Sequence, residues 1–128
     1  MLEEMMDRSK PTLRLHGAVG VLALDPDNSK ATDILVQTLM SNTAFSAEAK
    51  SHLIKLGDPA VGALRAAVGE GHPLSERLLA VETLAEMEGK ALAATPDLLA
   101  LARAQEDERL RIAAVLALAR MVDEEQGL

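Results

Sequence analysis

The chain has 128 residues, of which 48% are hydrophobic and 26% are charged, a mixture that favours one packed domain and argues against a disordered chain. Acidic residues outnumber basic residues by 20 to 13, and the net charge of −7 argues against a surface that follows nucleic-acid phosphates. The absence of cysteine excludes disulfides, thiolate metal sites and thiol chemistry.

One helical pattern occurs four times along the chain. Segments 77–87 and 111–121 share Arg, Ala, Val, Leu, Ala and Met at equivalent positions, and weaker copies lie at 14–24 and 46–56. Each copy, termed an A helix, has a small residue, a branched aliphatic residue and a larger apolar residue at i, i+4 and i+7, which lie on one face of an α-helix. The small residues recur at separations of 32, 31 and 34 residues. In chain order, the four sets are Gly17, Val21 and Leu24; Ala49, Leu53 and Leu56; Ala80, Leu84 and Met87; and Ala114, Leu118 and Met121.

A second type of apolar segment, termed a B helix, precedes each A helix. We expect B helices at about 30–41, 59–68 and 96–105, and residues 2–6 read as the end of another. Asp58-Pro59 and Thr95-Pro96 each combine a capping side chain with proline at the first helical position. The sequence therefore predicts four helix pairs with a period of 31–34 residues, about eight helices in a single domain over 1–128, and no strand.

Glycine and aspartate mark the predicted helix boundaries. Gly57 and Gly89 come just after A helices, where a left-handed C-terminal cap favours glycine. Asp107 is predicted to cap the last A helix. Arg14, Arg77 and Arg111 occupy the same repeat position, and we expect them to bridge adjacent repeats.

These residues resemble short bacterial HEAT repeats of the phycobilisome-lyase-like type. The resemblance is carried by Leu-Gly-Asp-Pro-Ala-Val-Gly-Ala-Leu-Arg at 56–65 and by the two Arg-x-x-Ala-Val helices, and it weakens over 1–52. It implies an all-α, right-handed αα solenoid, a HEAT-like superhelix with B helices on the concave face. It also implies a ladder of Asp and basic side chains, which Asp58 with Arg65 and Asp97 with Arg103 would fill, whereas Asp33 has only Gln37.

We predict a non-catalytic scaffold that binds another protein through this concave face. A stacked helical array offers a large surface for its mass, and arginine is a frequent hot-spot residue. Exposed positions on the B helices are expected to form the partner-binding surface: Gln37, Thr38, Arg65, Ala66 and Arg103.

No catalytic, cofactor-binding or metal-binding residue is predicted, and neither nucleic acid nor a membrane is an expected partner. Glu48 and His52 have metal-ligand spacing on a helix, but typical zinc sites take three or four protein ligands. Apolar runs are too short for a membrane span, and acidic residues interrupt the signal-peptide pattern, so a cytoplasmic location is expected.

Two alternative functions remain open. The resemblance allows an accessory subunit or enzyme component of lyase type, which attaches a tetrapyrrole to another protein. A purely structural role through self-association is the other, because Met5, Met6, Val115 and Met121 do not form a polar cap on the ends of a helical stack.

Overall fold

A computed structural model describes residues 11–41, 43–69, 71–104 and 107–126. These residues form α-helices and one 3₁₀ helix, and none of them belongs to a β-strand, so the predicted all-helical class is confirmed. The described α-helices number fewer than the eight expected, since the B helix predicted at 2–6 lies outside them. Their bounds are α1 Pro11–Leu24, α2 Ser29–Met40, α3 Ser46–Leu56, α4 Asp58–Ala67, α5 Leu74–Met87, the 3₁₀ helix Glu88–Ala94, α6 Thr95–Arg103 and α7 Glu108–Gln126.

The chain divides into two compact units, Met1–Ala63 and Leu64–Leu128, with the boundary inside α4. In the first unit α1 packs against α2, and α2 packs against α3. In the second unit α7 packs against α5, against α6 and against the 3₁₀ helix. Consecutive helices are therefore neighbours in space within each unit, as expected for helices joined by short connections.

Capping side chains begin two of the helices. Asn28 Oδ1 accepts a hydrogen bond from the Ala31 amide at 2.9 Å at the start of α2. Asp107 Oδ1 accepts from the Arg109 amide at 2.9 Å and from the Leu110 amide at 3.2 Å, which confirms the predicted cap of α7. Thr95 was expected to cap α6, but its hydroxyl instead donates to the Leu92 carbonyl at 2.7 Å, because the preceding 3₁₀ helix already occupies the space before α6.

The cap gives Asp107 a perturbed acidity. Loss of solvent around the carboxylate acts to raise the pKa of Asp107, but hydrogen bonds from the Leu110 amide and from the Arg109 side chain and amide, together with the Arg109 charge, hold this pKa below its ordinary value of 3.8. The negative charge of the ionised carboxylate also interacts favourably with the positive N-terminal end of the α7 dipole.

The A-helix ends differ from the prediction at one glycine. Gly57 follows α3 with φ of 80°, as expected for a glycine cap. After α5 the residue with positive φ is Glu88, at 53°, and the expected cap Gly89 lies inside the 3₁₀ helix. The boundary lies one residue earlier than predicted because the 3₁₀ helix starts directly after Met87.

The predicted core face is largely buried. All four small residues are buried, and Val21, Leu53, Leu84, Met87 and Met121 are buried with them. Leu56 and Leu118 are half-buried. Leu24 was expected in the core and is 81% exposed, because it ends α1 and is followed by exposed residues 25–27 that leave it uncovered.

Candidate functional site

The predicted partner-binding residues fall in both compact units. Gln37 and Thr38 lie on α2 of the first unit, whereas Arg65, Ala66 and Arg103 belong to the second. Each group is therefore described within its own unit.

In the first unit, Gln37 and Thr38 already have partners within the chain. Gln37 is exposed, and its Oε1 accepts a hydrogen bond from Arg14 Nη2 on α1 at 3.3 Å. The Thr38 hydroxyl donates to the Ile34 carbonyl at 2.8 Å, so it turns back onto its own helix. A serine or threonine hydroxyl in a helix commonly makes this local bond to the preceding turn, and the partner-binding role of Thr38 stays a prediction.

In the second unit, Arg65 is exposed and held by a carboxylate from another helix. Arg65 Nε on α4 donates to Asp97 Oδ2 on α6 at 2.5 Å. The two residues are 32 positions apart, which is the predicted repeat period. The expected ladder pairs Asp58–Arg65 and Asp97–Arg103 are therefore replaced by an Arg65–Asp97 pair, because the first turn of α6 brings Asp97 to the last turn of α4.

A cleft of about 200 Å³ adjoins this ion pair. Its charged lining residues are Arg65, Asp97 and Arg77. The remaining lining is small or apolar and consists of Val68, Gly69, Ala100, Leu101 and Ala104. Arginine is one of the residue types that are enriched in protein-binding hot spots.

Arg77 forms the inner part of the same cleft and is buried. Its Nε donates to the Val68 carbonyl at 3.0 Å, just beyond the end of α4. A cation at this position satisfies one of the carbonyls that a helix leaves unpaired at its C-terminus. Arg77 was expected to bridge adjacent repeats, but this bond joins it to the B helix of its own pair, whereas Arg14 does reach the next B helix.

Two other predicted residues, Ala66 and Arg103, are exposed on α4 and α6. Neither is among the residues that line the cleft. The described second unit thus assembles Arg65 with Asp97 and Arg77, while Ala66 and Arg103 stay on the surrounding surface.

Glu48 lies between two histidines of the first unit. Its Oε1 is 3.6 Å from His16 Nε2 on α1 and 4.0 Å from His52 Nε2 on α3. In the described part of the chain, no group of three or more His, Cys, Asp or Glu side chains is arranged to hold a metal ion. We therefore interpret these contacts as polar contacts near the protein surface, where even a charged pair contributes little to stability.

His72 was expected to be a simple loop residue. It does lie before α5, but its Nδ1 is 3.4 Å from Glu76 Oε1, one turn into that helix. The i, i+4 spacing of His72 and Glu76 is visible in the sequence and could have identified this pair.

Asp97 is the main residue that sequence reasoning paired incorrectly. The signal that could have found its partner is the separation from Arg65, since side chains one repeat apart lie side by side in a helical stack. Arg120 and Glu88 have the same 32-residue separation and pair at 3.3 Å.

None of the helices in the described ranges combines the length and the apolarity that a membrane crossing requires.

Comparisons with known proteins identify no relative. No family model, no curated protein and no solved structure matches this chain.

Proposed function

We propose that this chain is a non-catalytic scaffold that binds another protein, and that the cleft beside Arg65 and Asp97 is its contact site. The observation that carries the proposal is an exposed guanidinium, fixed by a carboxylate from a second helix, at the rim of a cleft of about 200 Å³. The proposal includes a cytoplasmic location and the right-handed superhelix that the resemblance to HEAT repeats implies.

The Arg65–Asp97 pair supports this proposal because it limits the motion of a long side chain. An unrestrained arginine loses rotamer entropy on binding, and holding it in place beforehand lowers that cost. Asp97 accepts its hydrogen bond from Nε, the inner nitrogen, and a guanidinium group carries two further nitrogens that can donate as a fork. That fork matches a carboxylate on a partner.

The remaining cleft residues support an apolar contribution to the same contact. Leu101 and Val68 are buried, whereas Ala100 is exposed. A partner side chain that covers this floor would exclude water from the guanidinium, and exclusion of water strengthens an ion pair.

Charge reversal tests the proposed site. In affinity capture from the native lysate, the Arg65→Glu variant and the Arg65→Glu/Arg103→Glu double variant are expected to lose a protein that the unmodified chain retains, with helicity and thermal melting unchanged. Lys90→Glu, which makes the same charge change at another exposed position of the second unit, serves as the matched control. Retention of every captured protein by both Arg65 variants would remove this cleft from consideration.

A second candidate function is self-association through α7. Ile112, Val115 and Leu116 lie on this helix at i, i+3 and i+4, and each is at least half exposed. An apolar helix face of this kind is typical of a contact with another helix. Light scattering at several concentrations tests it, with Leu116→Glu expected to abolish any increase in mass and a monomer throughout contradicting it.

A further inference from the structure

A second cleft lies within the first unit and is independent of the proposed contact site. Its volume is about 180 Å³, and its apolar lining comes from Val19, Leu22, Leu35 and Leu56. Leu22 and Leu35 are buried, so the floor belongs to the core of this unit, whereas Val19 and Leu56 are half-buried at its edge. The cleft is thus an apolar depression formed by α1, α2 and α3.

Two basic side chains of α3, His52 and Lys55, complete the lining. The nearest carboxylate to His52 is that of Glu48, and the 4.0 Å separation is too long for a hydrogen bond. Among the residues that the structure describes, no carboxylate pairs with the Lys55 ammonium group. Within the described ranges, the Lys55 ammonium group thus lies beside an apolar depression without a carboxylate partner, in a chain whose net charge is −7.

The size of the cleft restricts what it accepts. A volume of about 180 Å³ corresponds to about six water molecules at about 30 Å³ each, which is the scale of one amino-acid side chain. Pockets that enclose complete cofactors or drug-sized molecules are typically larger, about 300 to 1,000 Å³. This volume and this lining favour an occupant that is small, apolar in its body and negatively charged at one end.

We propose that this cleft binds the C-terminal residue of a partner polypeptide that ends in a branched aliphatic side chain. The side chain would fill the depression between Leu22, Leu35 and Leu56, and the terminal carboxylate would pair with Lys55. A C-terminal leucine carries both groups on one residue, at a separation set by two covalent bonds. Recognition of a C-terminal carboxylate is an established mode of peptide binding, usually through backbone amides, and here the Lys55 ammonium group would take that role.

The minimal probes are N-acetyl-leucine and N-acetyl-leucinamide, which differ only in the charge of the terminal group. Both are titrated into the complete chain while backbone amide chemical shifts are recorded by NMR. The acid is expected to produce saturable shifts in α1, α2 and α3 and to bind about three- to fivefold more tightly than the amide, the advantage of one partly exposed ion pair. Equal affinity of the two probes would overturn the proposal.

Two variants locate the interaction. Lys55→Gln is expected to remove the preference for the acid and to leave the affinity for the amide unchanged, whereas Lys90→Gln in the other unit retains the preference. Ala23→Phe places a large side chain at an exposed position of the lining and is expected to abolish binding of both probes. A preference that survives Lys55→Gln would contradict the assignment of the carboxylate partner.

A third probe distinguishes a peptide terminus from a free aliphatic acid. The 4-methylpentanoate ion has the same branched body and carboxylate as N-acetyl-leucine but lacks the peptide group. N-acetyl-leucine is expected to bind more tightly. Equal or tighter binding of 4-methylpentanoate would assign the cleft to free aliphatic acids and overturn the proposal of a polypeptide partner.

Discussion

The two compact units place equivalent positions of the predicted repeat in different surroundings. Leu24 ends α1 in the first unit and is 81% exposed, whereas Met87 ends α5 in the second unit and is 3% exposed. A turn of exposed residues follows Leu24, while the 3₁₀ helix follows Met87 and packs against α5 and α7. The comparison teaches that sequence position determines which way a helical residue points, and that the next element determines whether it is covered.

Arginine shows the same difference. Arg14 and Arg77 share a repeat position, but Arg14 contacts a glutamine side chain at the surface and Arg77 is buried against the Val68 carbonyl. After the A helices, by contrast, different residue types in the two units adopt a similar backbone conformation. Gly57 and Glu88 both have a positive φ, 80° and 53°, with ψ of −128° and −129°, although only one of them is glycine.

Truncation of the two helix-ending residues should give the largest contrast. Met87→Ala is expected to lower the free energy of unfolding by about 3 kcal/mol, because it removes buried atoms and leaves a cavity. Leu24→Ala should change it by less than about 0.5 kcal/mol, since an exposed side chain loses few contacts. Urea unfolding followed by circular dichroism measures both, and equal losses would show that the burial contrast is wrong.

Removal of the two arginines should give the next largest contrast. Arg77→Met keeps an unbranched apolar stem but leaves the Val68 carbonyl without its donor, and a loss of about 2 kcal/mol is expected. Arg14→Met interrupts an exposed hydrogen bond to Gln37, for which a change within about 0.5 kcal/mol is expected. Thermal melting of the two variants compares them directly, and a larger effect at Arg14 would contradict the assignment.

Glycine at the positive-φ position after an A helix should give a smaller effect on stability: introducing it at position 88 is favourable and removing it at position 57 is unfavourable. Glu88→Gly should be more stable than Glu88→Ala by about 1 kcal/mol, because both variants remove the Arg120 ion pair and only glycine relieves the positive φ. Gly57→Ala should lose about 1 kcal/mol from φ alone, since open space surrounds the new Cβ. Chemical denaturation measures the free energy of unfolding of these variants, and an unchanged value for Gly57→Ala would contradict the assigned role of positive φ.

Acid sensitivity is the smallest expected difference and concerns the two helix caps. The pKa of Asp107 is lower in the folded chain than its ordinary value of 3.8, so its contribution is complete above 3.8 and is lost as the pH falls through the lower, folded value. Asp107→Asn keeps a capping acceptor and should flatten this part of the stability profile. Stability is measured from about pH 5 to about pH 2.5.

The matched variant is Asn28→Asp, which introduces a titrating cap at the start of α2 in the first unit. It is expected to add an acid-dependent loss where the unmodified chain has a neutral acceptor. An unchanged profile for Asp107→Asn would show that the cap charge does not contribute.

Much of the helical architecture was predictable from local signals. The predictions of α2, α4 and α6 at 30–41, 59–68 and 96–105 agree with Ser29–Met40, Asp58–Ala67 and Thr95–Arg103 to within one or two residues. These elements were identifiable because apolar spacing and proline at the first turn act within one helix. The 3₁₀ helix had no comparable signal, and it shifted the glycine cap and changed the role of Thr95.

The candidate site was predictable only in part. Arg65 was expected on the surface of α4 and is exposed there, but its pairing with Asp97 depends on the approach of two helices. Burial of Arg77 likewise depends on the position of the Val68 carbonyl beside α5. Neither contact is encoded by spacing within a single helix.

The sequence by itself determined that the described chain is helical and which face of each A helix turns inward, because the 3.6-residue period is a property of the backbone and of local side-chain spacing. Only the tertiary structure decided whether Leu24 and Met87 are buried, which residue pairs with Arg65, and the formation of the cleft beside Lys55. These depend on which atoms of other helices come within a few ångströms, and side-chain burial and ion pairing are set by that proximity.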